Sequence, residues 1–76
     1  MGEAGGQPVP KKIRELRSML RKAGFKTRSG KGSHTFWWHP RRPEVTATVS
    51  GKDGADAKPY QEREVKKALA RIEDES

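Results

Sequence analysis

The 76-residue chain contains no cysteine. Disulfides, thiolate zinc sites and a cysteine nucleophile are therefore excluded, and nothing points to an oxidising compartment. Long hydrophobic runs are also missing. Hydrophobic residues make up 30% of the chain, and no apolar stretch approaches the ~18–20 residues that span a bilayer. The first ten residues, MGEAGGQPVP, have neither a basic n-region nor an apolar h-region, so no secretory signal is expected. A soluble, cytoplasmic protein with no membrane partner is the expectation. The chain is also too short for much enclosed volume, since a domain of about 60 residues buries only around 60% of the surface its unfolded chain exposes. A partner bound across a surface fits better than a substrate in a deep pocket.

Acidic residues are scarce where basic ones gather. Residues 10–42 carry eleven Lys and Arg against the single acid Glu15, a net charge of +10, while the rest of the chain nets −3. Such asymmetry suggests a polyanion partner on the first half, and nucleic acid is the obvious candidate because each neutralised phosphate releases counterions.

Residues 1–9 hold three glycines and a proline and read as a disordered tail, and the acidic end 74–76 reads as frayed. A single domain is expected over 10–73. Ile13, Leu16, Leu20 and Ala23 recur at helical spacing, which predicts a helix over 11–23 with Pro10 in its first turn and Gly24 as its stop. Arg14, Arg17 and Arg21 form a row on a neighbouring face, either a solvated flank or a phosphate-facing ridge. Strands are expected over 25–29 and 33–39 around a Gly30-Lys31-Gly32 turn. A loop over 40–43 follows, because two prolines do not suit a ladder. Alternation of Val45, Ala47 and Val49 predicts a third strand with these three inward. A loop over 50–58 precedes a second helix over 61–73, with Val65, Ala68, Leu69 and Ile72 on its apolar arc. The expected fold is α+β: a two-layer α-β-β-β-α sandwich, three-stranded and antiparallel, with both helices on one sheet face. With Trp37 as the core anchor, His34, Phe36 and Trp38 would line the open face, where aromatics beside basic groups suit stacking of single-stranded bases.

The two histidines, His34 and His39, fall on opposite strand faces and no carboxylate cluster joins them, so no metal site and no cofactor are expected. The run Gly30-Lys31-Gly32-Ser33 lacks the upstream glycine spacing of a phosphate-binding P-loop. One enzyme class remains compatible with so small an inventory. RNA supplies its own nucleophile, the 2′-hydroxyl beside the scissile phosphate, and the protein needs only a proton shuttle and cations for the developing charge. An imidazole performs the first task and Lys or Arg the second.

Two stretches carry a family resemblance. Leu20-Arg21-Lys22-Ala23-Gly24-Phe25 is similar to an "L-x-K-A-G-F" opening, and Lys31-Gly32-Ser33-His34-Thr35-Phe36-Trp37-Trp38-His39-Pro40 to "K-G-S-H-x-x-aromatic-x-H-P". Over roughly residues 11–72 the chain resembles the HicA family of bacterial toxin ribonucleases. The resemblance implies a fold similar to double-stranded-RNA-binding domains, His34 at the catalytic position, cleavage of mRNA, and neutralisation by a HicB-type antitoxin. After the third strand many members carry "V-P-x-H-x-G-K-E-L-x-x-G-T". Here the histidine is replaced by Ser50, the loop is longer and more acidic, and Pro59-Tyr60 stands in place of Gly-Thr.

Two readings stay open. The first is a metal-independent endoribonuclease, an mRNA interferase, with His34 as general acid/base. Its RNA-binding set would be Arg14, Arg17, Arg21, Arg28, Lys31, Ser33, Phe36 and Trp38. The second is a non-catalytic RNA-binding module on the same fold. A third possibility, a domain for an acidic protein partner, rests on charge alone.

Overall fold

The structure, a computed structural model, describes residues 10–73. The expected tail over 1–9 and the acidic end over 74–76 lie outside the described residues. Two helices and three strands follow in the order α1 (Ile13–Lys22), β1 (Lys26–Ser29), β2 (Thr35–His39), β3 (Arg42–Val49) and α2 (Pro59–Glu73). The sheet is antiparallel with strand order β1-β2-β3. Trp37, Val45, Ala47 and Val49 face the helices. They meet Ile13, Leu16 and Leu20 of α1 and Val65, Ala68 and Ile72 of α2 in one core, completed by Phe25 and Ala57. Trp37 is the core anchor, 1% exposed. This is the expected two-layer α+β sandwich with both helices on one face.

Several boundaries differ from the sequence expectation, among them the start of α2 at Pro59 rather than residue 61, and three of the differences have a clear physical reason. First, α1 begins at Ile13 rather than residue 11, and Pro10 lies ahead of its first turn. Lys12 stands at the N-cap without a side-chain cap bond. The orphan amides that every helix start leaves are instead met by the 50–58 loop. Ile13 N–H donates to the Ala55 carbonyl at 2.9 Å and Arg14 N–H to the Asp53 carbonyl at 3.1 Å. The chain ahead of the helix is extended against the same loop, with Ala57 N–H donating to the Lys11 carbonyl at 2.7 Å and the Lys12 ammonium paired with Asp56 at 2.7 Å.

Second, β3 starts at Arg42 and includes Pro43, which the sequence reading leaves in a loop. β3 is an edge strand, and its register with β2 shifts between Trp38↔Thr46 and His39↔Arg42. Pro43 falls inside that irregularity, where no β2 residue is opposite it, so its missing N–H costs no ladder bond. Third, β2 begins at Thr35, so Ser33 and His34 belong to the turn and not to the strand.

The junction after α1 joins the two recognisable stretches of sequence into one structural unit. Gly24 has φ +96°, Gly24 N–H bonds to the Arg21 carbonyl at 3.0 Å, and Phe25 N–H reaches back to the Leu20 carbonyl at 3.1 Å. This is a Schellman stop. The free Ala23 carbonyl accepts from His39 Nε2 at 3.0 Å, and His39 Nδ1 accepts from Arg41 N–H at 3.1 Å. Those two bonds fix the imidazole as the Nε2–H tautomer. The His39 ring is buried and meets Phe25 edge-on, with centroids 5.1 Å apart. A Cβ on Gly24 would come within 3.1 Å of His39 Nε2. The A-G-F and H-P segments are therefore two sides of one packed contact, and His39 is a structural residue.

Candidate active site

The β1–β2 turn presents His34. Gly32 at φ +59° allows the chain to reverse. Gly30 N–H donates to the His34 carbonyl at 2.8 Å and His34 N–H to the Lys31 carbonyl at 3.1 Å. The His34 backbone is thus held on both sides while its side chain is exposed and hydrogen-bonds to no other described residue. It borders a cleft of about 380 Å³ whose other walls are the 50–58 loop and the start of α2, including Ser50, Gly51, Lys58, Tyr60 and Gln61. Lys31, in the same turn, is exposed.

The cleft is assembled by three side chains, Arg17, Ser33 and Gln61. Arg17, on α1, pairs with Asp53 and donates to the carbonyls of Ser33 and Gly51, each at 3.0 Å. Ser33 Oγ in turn accepts from Gly51 N–H at 3.1 Å. Arg17 and Ser33 therefore bind the histidine turn to the loop. Gln61 is buried and fixes the far wall. Its Oε1 accepts from Lys58 N–H at 2.8 Å, and its Nε2 donates to the Ser50 carbonyl at 2.9 Å. Lys58 is the N-cap and Pro59 the first helical residue, so Gln61 supplies the reach-back half of a capping box. The spacing of Gln61 from Lys58 was the available sequence signal for it.

The remaining candidates occupy different surroundings. The arginine row divides three ways. Arg14 is exposed, Arg17 is engaged as described, and Arg21 lies over the Trp37 ring at 5.6 Å from its centroid. On the sheet face away from the helices, Phe36 and Trp38 are half-buried and stacked, centroids 6.0 Å apart and 24° between planes. Arg28 covers Phe36 at 5.5 Å, and its strand partner is Phe36 itself. Because β2 starts after His34, the alternation that would align His34 with Phe36 and Trp38 stops at Thr35; His34 belongs to the cleft. Among the described residues, no three His, Cys, Asp or Glu side chains gather as a metal-binding group, and no helix is long and apolar enough to cross a membrane.

Comparison with curated proteins returns no match. Comparison with protein families matches residues 13–70 to the family described as the HicA toxin of bacterial toxin–antitoxin systems. That span takes in the whole of α1, the sheet, the His34 turn and most of α2, and on it the chain belongs to the HicA toxin family.

Proposed function

We propose that this toxin is a metal-independent endoribonuclease, an mRNA interferase acting in the cytoplasm, with His34 as its general acid/base. The observation that carries the reading is an exposed imidazole that bonds to no other described residue, on a backbone pinned at both N–H and carbonyl, at the lip of a cleft in a HicA-family chain. In the reaction the RNA 2′-oxygen bonds to phosphorus as the bond from phosphorus to the 5′-oxygen breaks. The 2′-hydroxyl proton passes to the His34 imidazole, and the departing 5′-oxygen takes a proton from the imidazolium. The products carry a 2′,3′-cyclic phosphate and a 5′-hydroxyl. Lys31 stabilises the charge that develops on the phosphate. Arg14, Arg21 and Arg28 add to the field that attracts RNA, and Phe36 with Trp38 offers aromatic surface to bases away from the cleft. Ser33 and Arg17, first read as RNA contacts, serve this reading by holding the His34 turn. The family implies an antitoxin partner, and we propose a HicB-type protein that covers the cleft.

The test is a gel assay of long single-stranded RNA in excess EDTA, with the wild type and His34→Ala side by side. Discrete fragments from the wild type alone are expected, with RNA affinity kept in the variant. Fragments from both would remove His34 from the chemistry. Ser50, standing where the resemblance expects a histidine, favours the second reading, a non-catalytic RNA-binding module. Intact RNA in both lanes with a salt-sensitive band shift would establish it.

A further inference from the structure

The two walls of the His34 cleft differ in chemistry. The turn supplies Ser33 and His34; the start of α2 supplies Lys58, Tyr60 and Gln61. Tyr60 is 53% exposed and is the one large hydrophobic side chain left exposed among the described residues. The other aromatics have partners. Phe25 packs on His39, Trp37 lies in the core beneath Arg21, and Phe36 and Trp38 stack on each other. No described side chain stacks on the Tyr60 ring or hydrogen-bonds its hydroxyl. A small domain with five aromatics forgoes burial by leaving one in solvent, and it leaves this one on the wall of the cleft that holds His34.

The ring is presented on a fixed base. It sits in the first turn of a 15-residue helix, started by Pro59 and locked to Ser50 through Gln61. Charges of both signs flank it in the chain, and the acids are engaged. Asp56, the acid in the cleft, is paired with Lys12 at 2.7 Å, and Glu62, the acid in the first turn, accepts from Lys11 N–H at 3.3 Å. Lys58 is exposed and forms no ion pair with a described residue. A planar ring and an adjacent uncommitted ammonium match one repeating unit of a nucleic acid, a base and its phosphate.

We propose that Tyr60 and Lys58 form a nucleotide subsite on the wall facing His34. A base stacks on Tyr60, and Lys58 binds its phosphate. The subsite selects the nucleotide that flanks the scissile bond. It rests on the reading that the cleft receives RNA. Stacking on an aromatic contributes about 1–3 kcal/mol per base, or roughly 5- to 150-fold in affinity.

The experiment measures binding and cleavage separately. Short single-stranded RNA is titrated into His34→Ala and into His34→Ala combined with Tyr60→Ala, Tyr60→Phe or Lys58→Ala, followed by fluorescence anisotropy. The tyrosine-to-alanine change is expected to weaken binding at least fivefold, with Tyr60→Phe losing far less because the ring remains. Lys58→Ala is expected to lower the salt slope by about one. In the cleaving enzyme, Tyr60→Ala raises KM far more than it lowers kcat, and the base preference beside the cut flattens. Equal affinity with and without the Tyr60 ring overturns the subsite, even if the wild type cleaves RNA. Absence of cleavage by the wild type overturns the ribonuclease reading alone, because the anisotropy comparison stands without it. Circular dichroism melts of each variant show that a lost affinity is not a lost fold.

Discussion

Replacing Arg17 by alanine separates a clamp from a phosphate ligand. The side chain is 18% exposed and makes one ion pair and two hydrogen bonds to carbonyls, while Asp53 is 63% exposed. The ion pair reaches solvent through Asp53 and is worth about 0.2–1 kcal/mol. Hydrogen bonds from a charged donor contribute about 1.5–3 kcal/mol each in general, but only the bond to Gly51 is part-buried, and the Ser33 carbonyl regains water when the arginine is removed. The sum for Arg17→Ala is a loss of about 2–4 kcal/mol, against under ~1 kcal/mol for Asp53→Asn. For a domain of this size that is a fall in Tm of about 8–30 °C for the first and at most ~8 °C for the second. Thermal unfolding followed by circular dichroism reads both. Arg17→Lys keeps the charge but cannot fork to three acceptors, so it should melt close to the alanine variant. If Arg17 instead contacts phosphate, Arg17→Ala leaves Tm within a degree or two of the wild type and lowers the salt slope of RNA binding by about one. Arg17→Lys would then bind RNA nearly as well as the wild type. That pattern would refute the clamp.

Gly24→Ala places a Cβ 3.1 Å from His39 Nε2 at φ +96° and should cost at least about 1–2 kcal/mol in denaturant unfolding. His39→Ala removes the bridge between Ala23 and Arg41 and should cost more stability than His34→Ala, which leaves an exposed turn; equal losses in urea titrations would contradict the structural assignment. The Glu44 carboxyl is held below the usual glutamate range, first by its own backbone N–H and then by Arg42. Because the folded value is depressed, its small contribution is full above the ordinary glutamate pKa and is lost as pH falls through the folded value. An NMR titration of Glu44 should show the low midpoint, and Arg42→Ala should raise it.

The order of elements was legible because each helix buries one apolar stripe and the third strand one apolar row. Those periodicities survive in the sequence as Ile13-Leu16-Leu20, Val65-Ala68-Ile72 and Val45-Ala47-Val49. Alternation separates Trp37 from Phe36 and Trp38 but does not say which face turns inward; the burial of Trp37 decides it. What was not legible depends on distant partners. Nothing local to Lys12 shows that Asp53 and Ala55 carbonyls will cap α1, so the helix start was misplaced. Nothing near Arg17 distinguishes it from Arg14 and Arg21, since Asp53, Ser33 and Gly51 lie 16 to 36 residues away. Pro43 misled because the ladder rule applies to paired residues, and the register break leaves this one unpaired.

The 50–58 loop shows what that distinction means for function. By sequence it is the segment where the chain departs most from its family's pattern, which invites the conclusion that the catalytic apparatus has decayed there. Its backbone caps α1, its Asp53 holds Arg17, its Gly51 amide anchors Ser33, and its Ser50 carbonyl receives Gln61. Every one of these contacts fixes a wall of the His34 cleft. The scaffolding work of the loop is done largely by backbone groups, which tolerate side-chain change. The replacement of a histidine by Ser50 and of Gly-Thr by Pro59-Tyr60 therefore alters what lines the cleft without dismantling it. The frame of the cleft is intact, so the departures at Ser50 and Tyr60 bear on what its lining does, and RNA cleavage by the wild type, with cut sites mapped beside those of Tyr60→Ala, separates a changed substrate preference from a lost activity.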